Sequence, residues 1–139
     1  MKTTLWLFAA LALQLFPAMA VHASCDKSCL SVRALEGDGK AALEMATLSL
    51  KESSNFQRNH ARMVYWYRIA AENGDRTGQW NYAQFLAGDS TTRAECVRAL
   101  YWFKRAKDQG EPLAEDVVRT LTKELADKSR FLKGCSRAL

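Results

Sequence analysis

The chain has 139 residues and a formal net charge of +5 at pH 7. This length excludes two domains of ordinary size, because a domain usually has about 100 to 200 residues, so we expect a single core. The positive charge is mild, and it does not by itself identify a class of partner.

The first residues carry the pattern of a secretory signal peptide. Lys2 precedes an apolar run over residues 5–16, and small residues follow that run. We expect residues 1–23 to be removed on export, with cleavage after Ala20 as the alternative, so that residues 24–139 form the exported domain. A retained membrane anchor is the other alternative, but the apolar run is shorter than the roughly 20 residues that span a bilayer.

Export would place the domain in the periplasm or outside the cell, without stable membrane insertion after cleavage. The formal charge would become +4, because Lys2 is the only charged residue removed. A nucleic-acid partner is disfavoured in that compartment. From Arg119 to Leu139 six bases face two acids. We interpret this segment as a solvated helix and tail, with contact to an acidic partner or an anionic membrane surface as the alternative.

All four cysteines lie in the exported part, and an even number in an exported chain favours disulfides. Three pairings are possible. We favour one bridge across the short Cys-x-x-x-Cys segment and one from the middle of the chain to its end, namely Cys25–Cys29 and Cys96–Cys135. A metal site is the alternative, but the spacing is not the tight Cys-x-x-Cys of zinc sites and one histidine, His60, remains. We expect neither a metal nor another cofactor.

Helical periodicity dominates the exported part, and no strand-like alternation competes with it, so we predict an all-α fold. Thr92 and Glu95 have the spacing of a capping box, and Pro112 suits a first helical turn. The predicted helices cover a short segment within residues 24–36 and then residues 40–51, 57–73, 77–87, 93–109 and 112–127, with glycines that suit helix ends at Gly74, Gly88 and Gly110.

One segment of the chain returns 36 positions later. The sequence Tyr-Trp-Tyr-Arg-Ile-Ala-Ala-Glu-Asn-Gly at residues 65–74 is matched by Tyr-Trp-Phe-Lys-Arg-Ala-Lys-Asp-Gln-Gly at residues 101–110. Residues 37–46 likewise parallel residues 74–83. A repeat of this length predicts helix pairs that stack, because no pair can bury its apolar face alone. The second helix of each pair would bury one stripe, comprising Met63, Trp66, Tyr67, Ala70 and Ala71 in one copy and Ala99, Trp102, Phe103 and Ala106 in the next.

These segments resemble Sel1-like repeats, which are related to tetratricopeptide repeats. Residues 66–74 and 99–110 look like the second-helix motif, residues 74–83 look like the first-helix motif, and the resemblance covers about residues 37–125. It implies a short right-handed superhelical solenoid of antiparallel helix pairs, with about two full repeats and partial caps. The chain departs from the motif at four positions, Met63, Gly78, Ala83 and Lys107, and at Gly78 the motif prefers alanine.

The resemblance also implies a binding function, because Sel1-like proteins generally present a curved helical surface to other proteins. Short exported bacterial members are similar to envelope adaptors and to periplasmic immunity proteins that neutralise toxins. We therefore expect an exported protein-binding scaffold whose partner is another protein. Cysteine-bridged relatives are linked to β-lactam or peptidoglycan binding, so a cell-wall or β-lactam ligand binder or weak hydrolase is the alternative.

The sequence lacks the catalytic motifs that would support the enzyme alternative. His60 has no carboxylate near it along the chain, and we interpret it as a surface residue near a helix start. The sequence contains no nucleophile elbow, no His-Glu-x-x-His and no phosphate-binding loop. The carboxylate pairs Glu115 with Asp116 and Glu124 with Asp127 are more typical of solvated helix surfaces. We predict no catalytic residue.

The candidate binding surface is identified here from the chemical types of its side chains. The resemblance implies a concave surface lined by the first helix of each pair. Arg76, Trp80 and Gln84 recur at four-residue spacing on one side of such a helix, where they would offer a charge, an aromatic anchor and an amide. We predict a partner-binding surface there. Packing of Trp80 against the neighbouring repeat, with the other two side chains merely solvated, is the alternative.

Overall fold

The computed structural model describes residues 25–52, 55–127 and Cys135. This part of the chain is all-α, with six helices and no strand, which confirms the predicted fold class. The helices are α1 (Lys27–Leu35), α2 (Gly39–Lys51), α3 (Phe56–Glu72), α4 (Arg76–Gly88), α5 (Arg93–Asp108) and α6 (Ala114–Ala126).

Side-chain caps start the first five helices. In each case a polar side chain accepts a hydrogen bond from a backbone N–H in the first turn, which satisfies a donor that the helix itself cannot pair. Thr92 and Glu95 form the predicted capping box of α5. The sixth helix begins at Ala114 without a side-chain cap, two residues later than predicted. The capping residues are Asp26, Asp38, Asn55, Asp75 and Thr92.

Helices that follow one another in sequence pack side by side. Gly39 at the start of α2 and Gly78 near the start of α4 both lie against Ala70, close to the end of α3. Gln109, which follows α5, hydrogen-bonds Gln79 in the first turns of α4. The starts of α2 and α4 therefore meet the ends of α3 and α5 at one edge, which we call the turn edge. It follows that α3 and α5 run in the same direction.

The predicted stripes of α3 and α5 lie in the core, together with buried residues of the other helices. All the predicted stripe residues except the two tryptophans are buried, and the alanines among them are 0–1% exposed, which lets neighbouring helices approach closely. Trp66 and Trp102 are half-buried and pack against clusters of buried residues, so neither stands free in solvent. Phe103 and Leu121 are the largest apolar side chains among those fully buried.

Two predicted segments lie outside the described residues, namely the signal peptide over residues 1–23 and most of the basic tail beyond Asp127. Among the helices that the structure does describe, none combines the length and the apolar character that a membrane crossing requires.

Candidate functional site

Three turns of the same build lie at the turn edge. Each contains a glycine in the left-handed region, with φ of 110° at Gly37, 83° at Gly74 and 80° at Gly110. At the middle turn the N–H of Gly74 donates to Ala71 at 3.0 Å and the N–H of Asp75 donates to Ala70 at 2.9 Å, which closes a Schellman motif. Two hydrogen bonds of the same kind close the turns at Gly37 and Gly110. The repeat thus preserves the turn as well as the helices.

Amide side chains link each turn to the one before it. Asn73 donates to the carbonyl of Ala34 at 3.0 Å, and Gln109, which is 36 positions later, donates to the carbonyl of Gly74 at 3.0 Å. Gln109 also donates to the side-chain oxygen of the fully buried Gln79 at 2.7 Å. Sequence reasoning missed this link, although the signal was present as an amide residue before glycine in both copies.

A groove of about 610 Å³ opens along the turn edge. Its lining offers polar groups, namely turn backbone, carboxylates, amides, two basic side chains and one hydroxyl, beside apolar atoms of the same residues. Such a surface can hydrogen-bond a polar ligand. The lining residues are Gly37, Asp38, Gly39, Lys40, Asn73, Gly74, Asp75, Arg76, Thr77 and Gln109.

Most charged side chains of the groove are paired with other groups of the protein. The Ala41 amide donates to Asp38, and together with the Arg33 guanidinium it lowers the pKa of the Asp38 carboxyl below its usual value. Arg76 at the groove forms an ion pair with Glu111, with 3.7 Å between the nitrogen and the oxygen. Lys40 is exposed at the groove.

The predicted partner-binding residues lie on successive turns of α4 but differ in exposure. Arg76 is exposed at the groove, whereas Trp80 and Gln84 are half-buried. The Trp80 ring meets the ring of Phe103 edge to face, with 5.1 Å between centroids, and packs against the core cluster that contains it. This contact favours packing as one role of Trp80, which was the alternative considered from the sequence. A binding role for the three residues stays a prediction.

The four cysteines form two disulfides. Cys25 is joined to Cys29 and Cys96 to Cys135, with 5.3 Å and 5.6 Å between the respective Cα atoms. Cys96 and Cys135 are buried, so this bridge ties the start of α5 to the chain end inside the core. Disulfides persist in oxidising compartments, and two of them favour an extracellular or otherwise oxidising location.

His60 lies in the first turns of α3, as its interpretation as a residue near a helix start implies. It is half-buried, and its ring lies 5.1 Å from that of Phe85 and edge on to it, so part of the side chain is covered by packing. Within residues 25–52 and 55–127 and at Cys135, histidine, cysteine and carboxylate side chains form no cluster of three that could hold a metal.

A second repeated feature lies on the outer faces of α3 and α5, and sequence reasoning did not single it out. Four exposed positions carry a base, a tyrosine, a base and an acid, and the same order returns 36 positions later. We call this surface the outer strip; it comprises Arg62, Tyr65, Arg68 and Glu72 on α3 and Arg98, Tyr101, Lys104 and Asp108 on α5.

Comparisons with known proteins leave the chain without an assigned family. No protein-family model, no curated protein and no solved structure matches it.

Proposed function

We propose that this chain is an exported scaffold that binds another protein, and that it acts in an oxidising compartment such as the periplasm. The observation that carries the proposal is the repeated turn edge, where three equivalent Schellman turns are linked by hydrogen bonds from the amide side chain that precedes the glycine of the second and third turns. Stacked helix pairs of this kind act in general through extended surfaces rather than through one catalytic cleft.

The proposed architecture is a short right-handed solenoid of Sel1-like helix pairs. Three features support it: the 36-residue recurrence, the side-by-side packing of successive helices, and the parallel direction of α3 and α5. The two disulfides suit a small domain that works outside the cytoplasm. We propose further that the partner is a toxin or effector delivered to the same compartment, so that the chain serves as an immunity or inhibitor protein.

The test is capture of a partner by the exported domain, with both disulfides formed, from an envelope extract of the producing cells. We expect one protein to be retained in a fixed ratio and to give a discrete complex by native mass spectrometry. A disulfide-bonded helical protein of similar size and charge serves as the control. Failure to retain any protein in a fixed ratio would contradict the proposal.

A cell-wall or β-lactam binder is the second candidate, and the groove at the turn edge favours it, because its carboxylates, amides and bases could hydrogen-bond such a ligand. A volume of about 610 Å³ lies within the range of small-molecule sites, which is about 300 to 1,000 Å³. Muropeptides and β-lactams would be titrated against the pure domain, and hydrolysis of a chromogenic β-lactam would be followed. Saturable binding that is lost in Asp75→Asn would favour this function. Absence of binding at millimolar ligand would dismiss it.

A further inference from the structure

We propose that the outer strip is the docking surface for an acidic segment of the partner protein. This inference rests on the proposed function, because it presumes a protein partner, and it identifies the chemistry of that partner. The surface lies on the second helix of each pair. It is therefore distinct from the α4 residues and from the groove.

Core packing does not explain why these positions recur. Ala70 and Ala106 are fully buried, so packing between helices accounts for a small side chain at both positions. Tyr65 and Tyr101, in contrast, are 42% and 53% exposed. The bases and acids of the strip are exposed as well. An exposed tyrosine contributes little to folding, whereas tyrosine and arginine are enriched among the residues that dominate binding energy.

The tyrosines are held in place by their neighbours. Tyr65 meets Trp66 edge to face with 5.0 Å between ring centroids, and Tyr101 meets Trp102 in the same way at 4.9 Å. Both tryptophans pack against the same cluster of buried residues. The guanidinium of Arg68 lies 5.7 Å from the centre of the Tyr65 ring. Because α3 and α5 run parallel, the two copies present the same pattern in the same direction.

The charge of the strip selects the partner. The helices α3 and α5 carry eight bases and three acids, whereas the other four helices together carry seven bases and four acids. The two helices that bear the strip therefore hold the larger share of the positive charge on the helices, and the strip itself has four bases against two acids, which attracts carboxylates. A second copy of the strip would be repelled by like charge. Glu72 and Asp108 lie at the same end of the strip in both copies, so an acidic segment would be attracted to the part of the strip that carries the bases and the tyrosines.

The experiment measures binding of a glutamate–tyrosine copolymer to the exported domain at low salt. Two double variants change the strip, namely Tyr65→Ser with Tyr101→Ser and Arg68→Gln with Lys104→Gln. We expect each to weaken binding by at least about tenfold, the loss typical of residues that anchor an interface. Replacement of both tyrosines by phenylalanine should retain most of the binding. Equal thermal midpoints would show that the variants are folded.

A matched control removes the same two charges elsewhere, with Arg119→Gln and Lys123→Gln on α6. It should bind the copolymer as the wild type does. An equal loss in this control would show that only net charge matters and would overturn the inference. No binding of the copolymer to the wild type would overturn it too, as would equally strong strip-dependent binding of phosphatidylglycerol vesicles or single-stranded DNA.

The two proposals can fail separately. If the captured envelope protein binds both strip variants as well as the wild type, the proposed function stands and the strip is not its docking surface. If no protein is captured although the copolymer binds through the strip, the scaffold function fails while the chemistry of the surface is established.

Discussion

The helices α3 and α4 approach each other closely at Gly78, where a methyl group has no room. A Cβ atom at this position would lie 2.5 Å from the Cβ of Ala70 and 2.9 Å from both the Ala70 carbonyl carbon and the Ala71 nitrogen. Carbon atoms in contact normally stay about 3.5 to 4.0 Å apart, so Gly78→Ala would force the helices apart by about 1 Å. None of these atoms can rotate away, because all belong to the backbone or are fixed to it.

The expected change in the free energy of unfolding on Gly78→Ala is the sum of two opposing effects. Overpacking a core costs about 1 to 3 kcal/mol, and we take about 3 kcal/mol because the obstructing atoms are rigid. Alanine is about 1 kcal/mol better than glycine inside a helix. We therefore expect Gly78→Ala to lower the free energy of unfolding by about 2 kcal/mol, which for a domain of this size lowers the thermal midpoint by about 8 °C.

Two other glycines provide the controls for urea and thermal unfolding, followed by far-ultraviolet circular dichroism with the disulfides intact. A Cβ at Gly88 meets nothing within 4 Å, so Gly88→Ala should be neutral or slightly stabilising. A Cβ at Gly39 would lie 3.0 Å from that of Asp75, which predicts an intermediate loss. If Gly78→Ala unfolds at or above the wild-type temperature, the close helix approach is wrong.

Three further predictions concern the links between elements. Gln109→Ala should lower the free energy of unfolding in urea by about 2 kcal/mol, because the buried side-chain oxygen of Gln79 loses the donor that Gln109 provides; Gln109→Glu should not restore the loss. Backbone amides of Thr91 and Thr92 lower the pKa of the Glu95 carboxyl below its usual value near 4.5, so its charge stabilises the fold at neutral pH. The wild type should therefore be more stable than Glu95→Gln at pH 7, and the difference should disappear as the pH falls through the lowered pKa; a difference that is constant with pH would contradict this. Replacing both cysteines of the Cys96–Cys135 bridge should cost about 4 kcal/mol if loop entropy dominates, against about 2 kcal/mol for the short bridge at α1, and equal losses in denaturant would refute the loop argument.

Local signals in the sequence were sufficient to place the helices. Periodicity and caps located five of the six within one or two residues at each end, and the capping box at Thr92 was identified directly. The buried stripes of α3 and α5 also followed from three- and four-residue spacing. These features depend on residues that are close in the chain, which is why one sequence reveals them.

Contacts between distant residues could not be predicted in the same way. Spacing along α4 places Trp80 on a face, but the position of Phe103 decides that this face is partly covered. Likewise, the amide residue before Gly110 recurs in the sequence, but that recurrence does not indicate that the Gln109 side chain reaches Gln79, 30 positions earlier. Such contacts depend on how successive helices pack, and a periodic pattern does not determine that geometry.

The third turn explains why the repeat fades after Gly110. In the first two turns an aspartate follows the glycine and caps the next helix, whereas in the third this position is Glu111. The longer glutamate side chain is directed to Arg76 instead, where it is 16% exposed, and α6 has no side-chain cap. The helix then begins at Ala114, with Glu115 and Asp116 in its first turn to offset the unpaired N–H groups. Because glutamate is one methylene longer than aspartate, Glu111 does not cap α6. It links the segment before α6 to Arg76 on α4 instead.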